Sequence, residues 1–397
     1  MNTSVKTLPS SVLGPAISVA PEDHPFRQEF RAWLADNVPG VPEPLDQDEK
    51  FQMRRAWQRT LFEGGWAGPA WAEEYGGRGA GPLHQFMYYE ELALARAPFI
   101  ANTPGISLLG PTLIEVGSDE LKSRFLPVML SSEEIFSQGF SEPGAGSDLA
   151  AIRARAKRDG EEWVINGQKI WTTWAQYSDY CFVLCRTDPE SERHRGLSLL
   201  ICPVDQPGVT VREIEQISGD PEFAEVFFDD ARCPASWVVG EVDDGWSTAM
   251  ILFQFERGDQ GFTDHSRILV SLHDLAAELR EASQRESISR PSVEAARRRL
   301  ADLWVRAQQL RRINLRIAVR QEAGESIGME GSVVNIFWGE LERDLGELTA
   351  AVHGPRGLLL GTDPGHEVLA ARAGTIYSGT SEIQRNIIAE RMLGLPR

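Results

Sequence analysis

The chain has 397 residues, 42% of them hydrophobic and 25% charged, and carries a net charge of −18. That length exceeds what one hydrophobic core organises, so two or three domains are expected, with the composition of an ordinary globular protein. The acidic balance excludes a general nucleic-acid binder, which needs a basic surface, and argues against anionic membranes; no apolar run is long enough to span a bilayer.

Residues 1–23, MNTSVKTLPSSVLGPAISVAPED, lack the charged start and compact apolar core of a secretory signal and read as a loose N-terminal arm. An α-helical domain is expected over 24–133. Phe26, Phe30, Trp33 and Leu34 form an i, i+4, i+7, i+8 stripe, and further helices are predicted at 47–63, 82–96 and 118–131. The Gly-rich loop WAGPAWAEEYGGRGAG holds no complete G-x-G-x-x-G between a strand and a helix, which excludes a Rossmann reading.

Over 134–242 the pattern changes to short alternating runs. Asp159-Gly160 and Asn166-Gly167 are hairpin signals, and DYCFVLCRT, GLSLLICPV, GVTVREI and AEVFFDDARC continue as strands of a compact antiparallel β domain. Cys181, Cys185, Cys202 and Cys233 fall within it, with no histidine at metal-site spacing, and read as buried reduced thiols of a cytoplasmic protein with no metal site. Over 243–397 helices return. Asp243 or Asp244 is placed to cap the first, and Leu300, Leu303, Ala307, Leu310 and Ile317 recur at bundle spacing. Arg297, Arg298, Arg299, Arg311 and Arg312 read as a solvated face. The fold class is therefore α+β, in the order α, β, α.

Three stretches carry candidate chemistry. In FSQGFSEPGAGSDLA, Pro143, Gly144 and Gly146 bend the chain while Ser141 and Ser147 offer hydroxyls beside open backbone amides, which suits a phosphate or the edge of a heteroaromatic ring. By itself this would be an ordinary turn. In INGQKIWTTWAQYSDY, Trp171 can cover one face of a ring and Thr173 can hydrogen-bond its edge, although an isolated tryptophan is more often core. Near the C-terminus, GTIYSGTSEIQRNIIAERMLGLPR places a Gly-Thr-Ser loop at the start of a helix, where N–H groups and hydroxyls hold oxygen ligands.

Together, SEPGAGSD, INGQKIWTT, EVFFDDARCPASWVVGEVDDGW and IYSGTSEIQRNIIAERMLGLPR resemble the ordered signatures of the acyl-CoA dehydrogenase family, from about residue 24 to the end. The resemblance implies an N-terminal α-helical domain, a middle β domain and a C-terminal four-helix bundle, with FAD between the last two. It assigns Ser141, Ser147, Trp171 and Thr173 to flavin contacts, and Thr380 and Glu382 to loop positions that approach the flavin, commonly across a subunit interface. It implies an acyl-CoA substrate, an electron-transfer flavoprotein as acceptor, and a homo- or hetero-tetramer. In the family a glutamate removes the α-proton while hydride passes from the β-carbon to flavin N5, giving the 2,3-enoyl-CoA. The thioester oxygen is held by a backbone amide, which corresponds here to Ser378.

The family's loop glutamate often follows the tyrosine, and that position here is Ser378, whose hydroxyl lacks the required proton affinity. Some members carry the glutamate early in the C-terminal domain instead, and the matching FQFERG contains Glu256. On a helix at 100° per residue, Trp246, Met250, Phe253 and Arg257 fall near one line, with Glu256 on the flank beside Ala249 and Leu252. An isolated glutamate there would be a surface acid; the missing loop acid makes Glu256 the expected base, with Arg257 drawn into an ion pair. Two departures bear on assembly. The family's Arg-x-x-Phe-Gly stretch is reduced to Arg290 in ESISRPSVEAARRRL, and its Gln-containing Gly-rich loop becomes AAVHGPRGLL. These losses point to altered FAD contacts or to a related partner chain that completes the site. Gly105, Gly110, Gly258 and Gly261 would leave space for a bulky acyl group, or Gly258 merely ends its helix. A flavin oxidase or monooxygenase on the same fold, and a mainly structural subunit, are the rival readings.

Overall fold

Local signals fix the first helices. The computed structural model describes residues 7–14, 18–284, 290–326 and 328–396, without the side chains at 256–261, 264, 290 and 291. Pro25 opens α1 (Pro25–Asn37), where its missing N–H costs nothing, and α1 buries Phe30 and Leu34. The Asp46 carboxylate accepts from Glu49 N and caps α2 (Gln47–Glu63). Then follow α3 (Pro82–Leu94), α4 (Gly110–Val116) and α5 (Asp119–Leu130), the last capped by Ser118. Their aromatic core includes Phe30, Trp57, Trp66 and Phe125.

The β region comprises β1 (Phe136–Gly139), β2 (Arg155–Asp159), β3 (Glu162–Thr173), β4 (Tyr180–Arg186), β5 (Leu197–Pro203), β6 (Val209–Ile214), β7 (Phe223–Pro234) and β8 (Val238–Val239). They form one sheet in the order β6-β7-β3-β2-β4-β5-β8. Pairing is mainly antiparallel, but β1 runs parallel to β4. Both faces of the centre are covered: Phe182 and Leu184 join the helical core, while Cys181, Val183 and Cys185 join a second core with Ile165, Leu200 and Val226. Double-sided burial explains the unbroken apolar run of β4. All four cysteines are buried and unbridged, and burial pushes the Cys181 and Cys185 thiols up to about 12.

One hairpin signal is a different device. Asp159-Gly160 does turn β2 into β3, whereas Asn166-Gly167 lies inside β3 as a bulge against β7. Gly167 sits at φ 151°, and a Cβ there would come 2.6 Å from the Ala154 Cβ. Close approach of two backbones, not chain reversal, demands this glycine.

Helices α6 (Gly245–Gln284), α7 (Arg290–Glu322) and α8 (Glu330–His353) form the C-terminal bundle, with α9 (Asp363–Ala370) and α10 (Ser381–Ile387) against α8. Leu303, Ala307, Leu310 and Ile317 are buried in it as their spacing requires. Arg311 corrects the reading of a wholly solvated arginine face. It is buried and pairs with Glu90 at 2.6 Å, and Glu90 also meets Arg27. Part of the expected loose arm is also docked. Leu8 N donates to Leu94 O at 2.8 Å, Gln308 donates to Leu13 O, and Val12 and Leu13 are buried on the bundle. Their apolar area outweighs the Pro and Ser punctuation around them. No helix among the described residues is long and apolar enough to cross a membrane.

Asp220, in the β6–β7 loop, ties the three regions together. It accepts from Gln47 on α2, lies 3.8 Å from Lys50, and meets His366 of α9 at 2.5 Å. Burial alone would raise the Asp220 carboxyl, but hydrogen bonds from His366 and Ser218 hold it down at about 2. The Asp220 hydrogen bond raises His366 above its ordinary value. A base held above its unfolded value contributes stability below that value and loses it as pH rises through the folded one. The stability gap between wild type and His366→Gln is therefore expected to be wide near pH 6 and to narrow above the raised His366 value. Melting temperatures across that range test this, and a gap independent of pH would contradict it.

Candidate functional site

The SEPGAG turn is held by a buried carboxylate. Glu142 and Ala145 exchange both backbone hydrogen bonds, closing the turn. The Glu142 carboxylate then accepts from Arg153 N at 2.7 Å and Ala154 N at 2.8 Å. Its third partner is Lys169 Nζ at 2.8 Å, from a lysine side chain with no solvent exposure. Lys169 also donates to Phe140 O at 3.0 Å. Burial lowers the Lys169 ammonium and Glu142 opposes that effect. Neither Glu142 nor Lys169 was singled out by sequence. A charged pair 27 residues apart leaves no local pattern, although a glutamate locked between Ser141 and Pro143 was the available hint.

This pinned turn lies against β3. Ile170 N donates to Ser141 O at 2.9 Å, so Ser141 sits beside the segment bearing Trp171 and Thr173. A second bulge between Lys169 and Thr172 lifts Trp171 out of the ladder at φ 60°. A left-handed tryptophan is costly and persists only where its surroundings impose it. Trp171 is 55% exposed, and its ring meets that of Phe223 edge-on at 6.0 Å. Thr173 is half-buried opposite Phe223, and Ser147 is exposed beyond the turn. A Cβ on Gly144 or Gly146 would meet nothing within 4 Å. An uncovered indole beside the Ser141 turn, whose glycines leave its backbone open, fits a flat, hydrogen-bonding ring system. Ser141 is thus brought beside the strand segment that bears Trp171 and Thr173.

A second set of candidates stands on the C-terminal loop. Ser378 is exposed at φ 55° before Gly379 at φ 91°, and its carbonyl accepts from Gln384 Nε2 at 2.8 Å. Thr380 Oγ1 accepts from Ile383 N and caps α10. Glu382 is mostly exposed, 3.7 Å from Arg385. Thr380 and Glu382 line a cleft of about 300 Å3 with Glu340, Arg343 and Arg385. Glu256 belongs to α6, but its side chain, like those of Arg257 and Arg290, lies outside the described residues. Two of the four glycines read as spacers are close-packed instead. A Cβ on Gly105 would meet Asn102 at 2.5 Å, and one on Gly110 would meet the Trp71 ring at 2.1 Å. The side-chain surroundings of Gly258 and Gly261 lie outside the described residues.

A helical region, a covered β sheet with an uncovered indole, and a helical bundle with a Gly-Thr-Ser loop match the architecture that the acyl-CoA dehydrogenase resemblance implies. Comparison with known proteins bears this out over most of the chain. Residues 20–133, 137–231 and 243–393 match the N-terminal, middle and C-terminal domains of acyl-CoA dehydrogenase. The chain belongs to the acyl-CoA dehydrogenase family. It is 44% identical to acyl-CoA dehydrogenase IpdE1 of Mycobacterium tuberculosis over 94% of this chain and 97% of that protein. Among solved structures it resembles the Tcur3481–Tcur3483 steroid ACAD, with a TM-score of 0.81, 29% identity, and 94% and 97% of the two chains covered. It also resembles the ChsE4–ChsE5 complex from Mycobacterium tuberculosis, with a TM-score of 0.79, 30% identity, and 96% and 100% covered.

Proposed function

We propose that this chain is an FAD-dependent acyl-CoA dehydrogenase that forms the 2,3-enoyl-CoA, with Glu256 as the base. The observation that carries the reading is the exposed Trp171, held in a left-handed conformation beside the Glu142-pinned turn in a chain of this family. When bound, FAD supplies the hydride acceptor. Trp171, Ser141, Ser147 and Thr173 would hold its ring system and polar atoms, and Thr380 and Glu382 would approach it from the C-terminal loop. The Ser378 amide holds the thioester oxygen, where charge develops as the α-proton leaves. Glu256 takes that proton, since Ser378 offers only a hydroxyl. The electron acceptor is an electron-transfer flavoprotein, and the protein works in the cytoplasm, consistent with its unbridged cysteines.

The acyl group is bulky and ring-bearing, an inference supported by likeness to a steroid ACAD. The assembly is a tetramer. A heteromeric one is favoured by the missing Phe-Gly stretch and by likeness to a complex of two different chains. The test is the visible spectrum of the purified chain, alone and co-expressed with a related chain. A flavin band that bleaches anaerobically with one acyl-CoA supports the reaction; no flavin in either preparation would remove it. A fully loaded, active homotetramer of this chain alone would remove the heteromeric assembly. Rapid reoxidation by oxygen would favour an oxidase.

Trp171→Ala and Ser147→Val test the cofactor contacts separately. Both are expected to fold and to retain less flavin through gel filtration, with Trp171→Ala the more depleted because stacking contributes ~1 kcal/mol beyond buried area. Unchanged flavin content in both would contradict the assignment.

A further inference from the structure

Behind the loop that leads to Ser378 lies a carboxyl group with no counter-charge among the described residues. Glu342 projects from α8 toward the Ala373–Thr375 turn. Its Oε2 is shielded from solvent and makes no hydrogen bond to any of the described residues. That oxygen occupies the space a side chain on residue 374 would need, since a Cβ on Gly374 would lie 2.3 Å from it. On the same face of α8, Gly339 approaches the same turn: a Cβ there would lie 2.4 Å from the Gly374 carbonyl oxygen. Trp338 packs its ring 5.5 Å from that of Tyr377, the residue before Ser378. Trp338, Gly339 and Glu342 therefore mould one face of α8 to the turn.

The charges around this face are engaged elsewhere. On α8, Glu340 pairs with Arg385 at 2.6 Å, Arg343 with Asp344 at 3.0 Å, and Glu347 with Arg372 at 3.1 Å. Asp344 also pairs with Arg306 of α7 at 2.7 Å, and Glu347 lies 3.6 Å from Arg299. On α9, His366 is held by Asp220, and Asp363 and Glu367 add only negative charge. On α10, Glu382 lies beside Arg385. Burial pushes the Glu342 carboxyl up to about 7. A neutral acid packs against the Gly374 backbone at little cost, whereas an unpaired carboxylate must be resolvated.

We propose that Glu342 is a positioning residue for the Ser378 loop, packed against Gly374 as a neutral acid and releasing the turn when it ionises. Its functional meaning rests on the reading that the Ser378 amide holds the thioester. The loop is then firm under mildly acidic conditions and loosens as pH rises, carrying Tyr377 and Ser378 with it.

Hydrogen exchange on the full chain tests the latch without substrate, at about pH 6 and about pH 8.5, with exchange times scaled to the intrinsic rate. Protection of amides 373–380 is expected to fall about tenfold or more in wild type as Glu342 ionises. Glu342→Gln, neutral throughout, keeps the protection at both values; Glu342→Ala, which removes the packing, loses it at both. Wild-type protection that ignores pH, or a Glu342→Gln profile that follows wild type, overturns the proposal. Once a substrate is in hand, KM separates the two readings. Exchange that tracks Glu342 while KM stays flat with pH supports the latch and overturns the thioester role of the loop.

Discussion

Glu256→Gln slows anaerobic bleaching of the bound flavin by acyl-CoA at least ~10²-fold, the usual cost of removing a positioned general base. Glutamine keeps nearly the same shape and hydrogen-bonding reach, so flavin content and acyl-CoA binding are expected to persist. Ser378→Ala has a much smaller effect, because the proposed thioester contact uses the backbone N–H, which alanine retains. The left-handed backbone at Ser378 sharpens the contrast. Alanine also bears its left-handed conformation at some cost, so any loss in Ser378→Ala would appear in loop order and in KM before it appeared in the chemical step. Adding Ser378→Glu to Glu256→Gln offers a second site for a base and is expected to restore part of the rate. The single substitution decides the matter. If Glu256→Gln reduces flavin at the wild-type rate, the proton acceptor lies elsewhere.

The sequence exposes what is local and hides what is paired across distance. The span predicted for the second helix, 47–63, is that of α2, and local residues account for it: Asp46 caps its start and Gly64 follows Glu63. The bundle stripe of α7 was legible for the same reason, since Leu303, Ala307 and Leu310 repeat within a few turns. Arg311 was not, because its partner Glu90 lies 221 residues away and nothing near Arg311 marks it as buried. Asn166-Gly167 misled in the opposite way. The dipeptide is a sound turn signal, but β3 pairs with β7 on both sides of it, and that long ladder overrides the local preference. The same limit applies at the site. Ser141, Trp171 and Thr173 were picked out by the family resemblance of their motifs, yet the exposure of Trp171 arises from a bulge that no residue preference announces. The device that pins their turn, Glu142 with Lys169, became visible only when β3 was folded against the loop.

That pair carries the largest expected effect on stability. Lys169→Met removes the ammonium and leaves the Glu142 carboxylate buried, with only the Arg153 and Ala154 amides to satisfy it. Breaking one partner of a buried ion pair costs ~3–5 kcal/mol, because the remaining charge has no compensation. Glu142→Gln creates the converse problem. It strands the Lys169 ammonium in the β-domain core, and its amide NH2 must face one of the two backbone N–H donors it replaces as acceptor. The double variant, Lys169→Met with Glu142→Gln, buries no unpaired charge and is expected to cost clearly less than the sum of the singles. Flavin retention should separate the two residues further. Lys169→Met keeps the acceptor for Arg153 N and Ala154 N, so the turn stays closed near Ser141, whereas Glu142→Gln loosens it and sheds more flavin. Urea unfolding of the four proteins in a double-mutant cycle, with flavin content measured on each, tests both statements. Single variants within ~1 kcal/mol of wild type would show that the pair is a bystander and that the turn is closed by its backbone bonds alone.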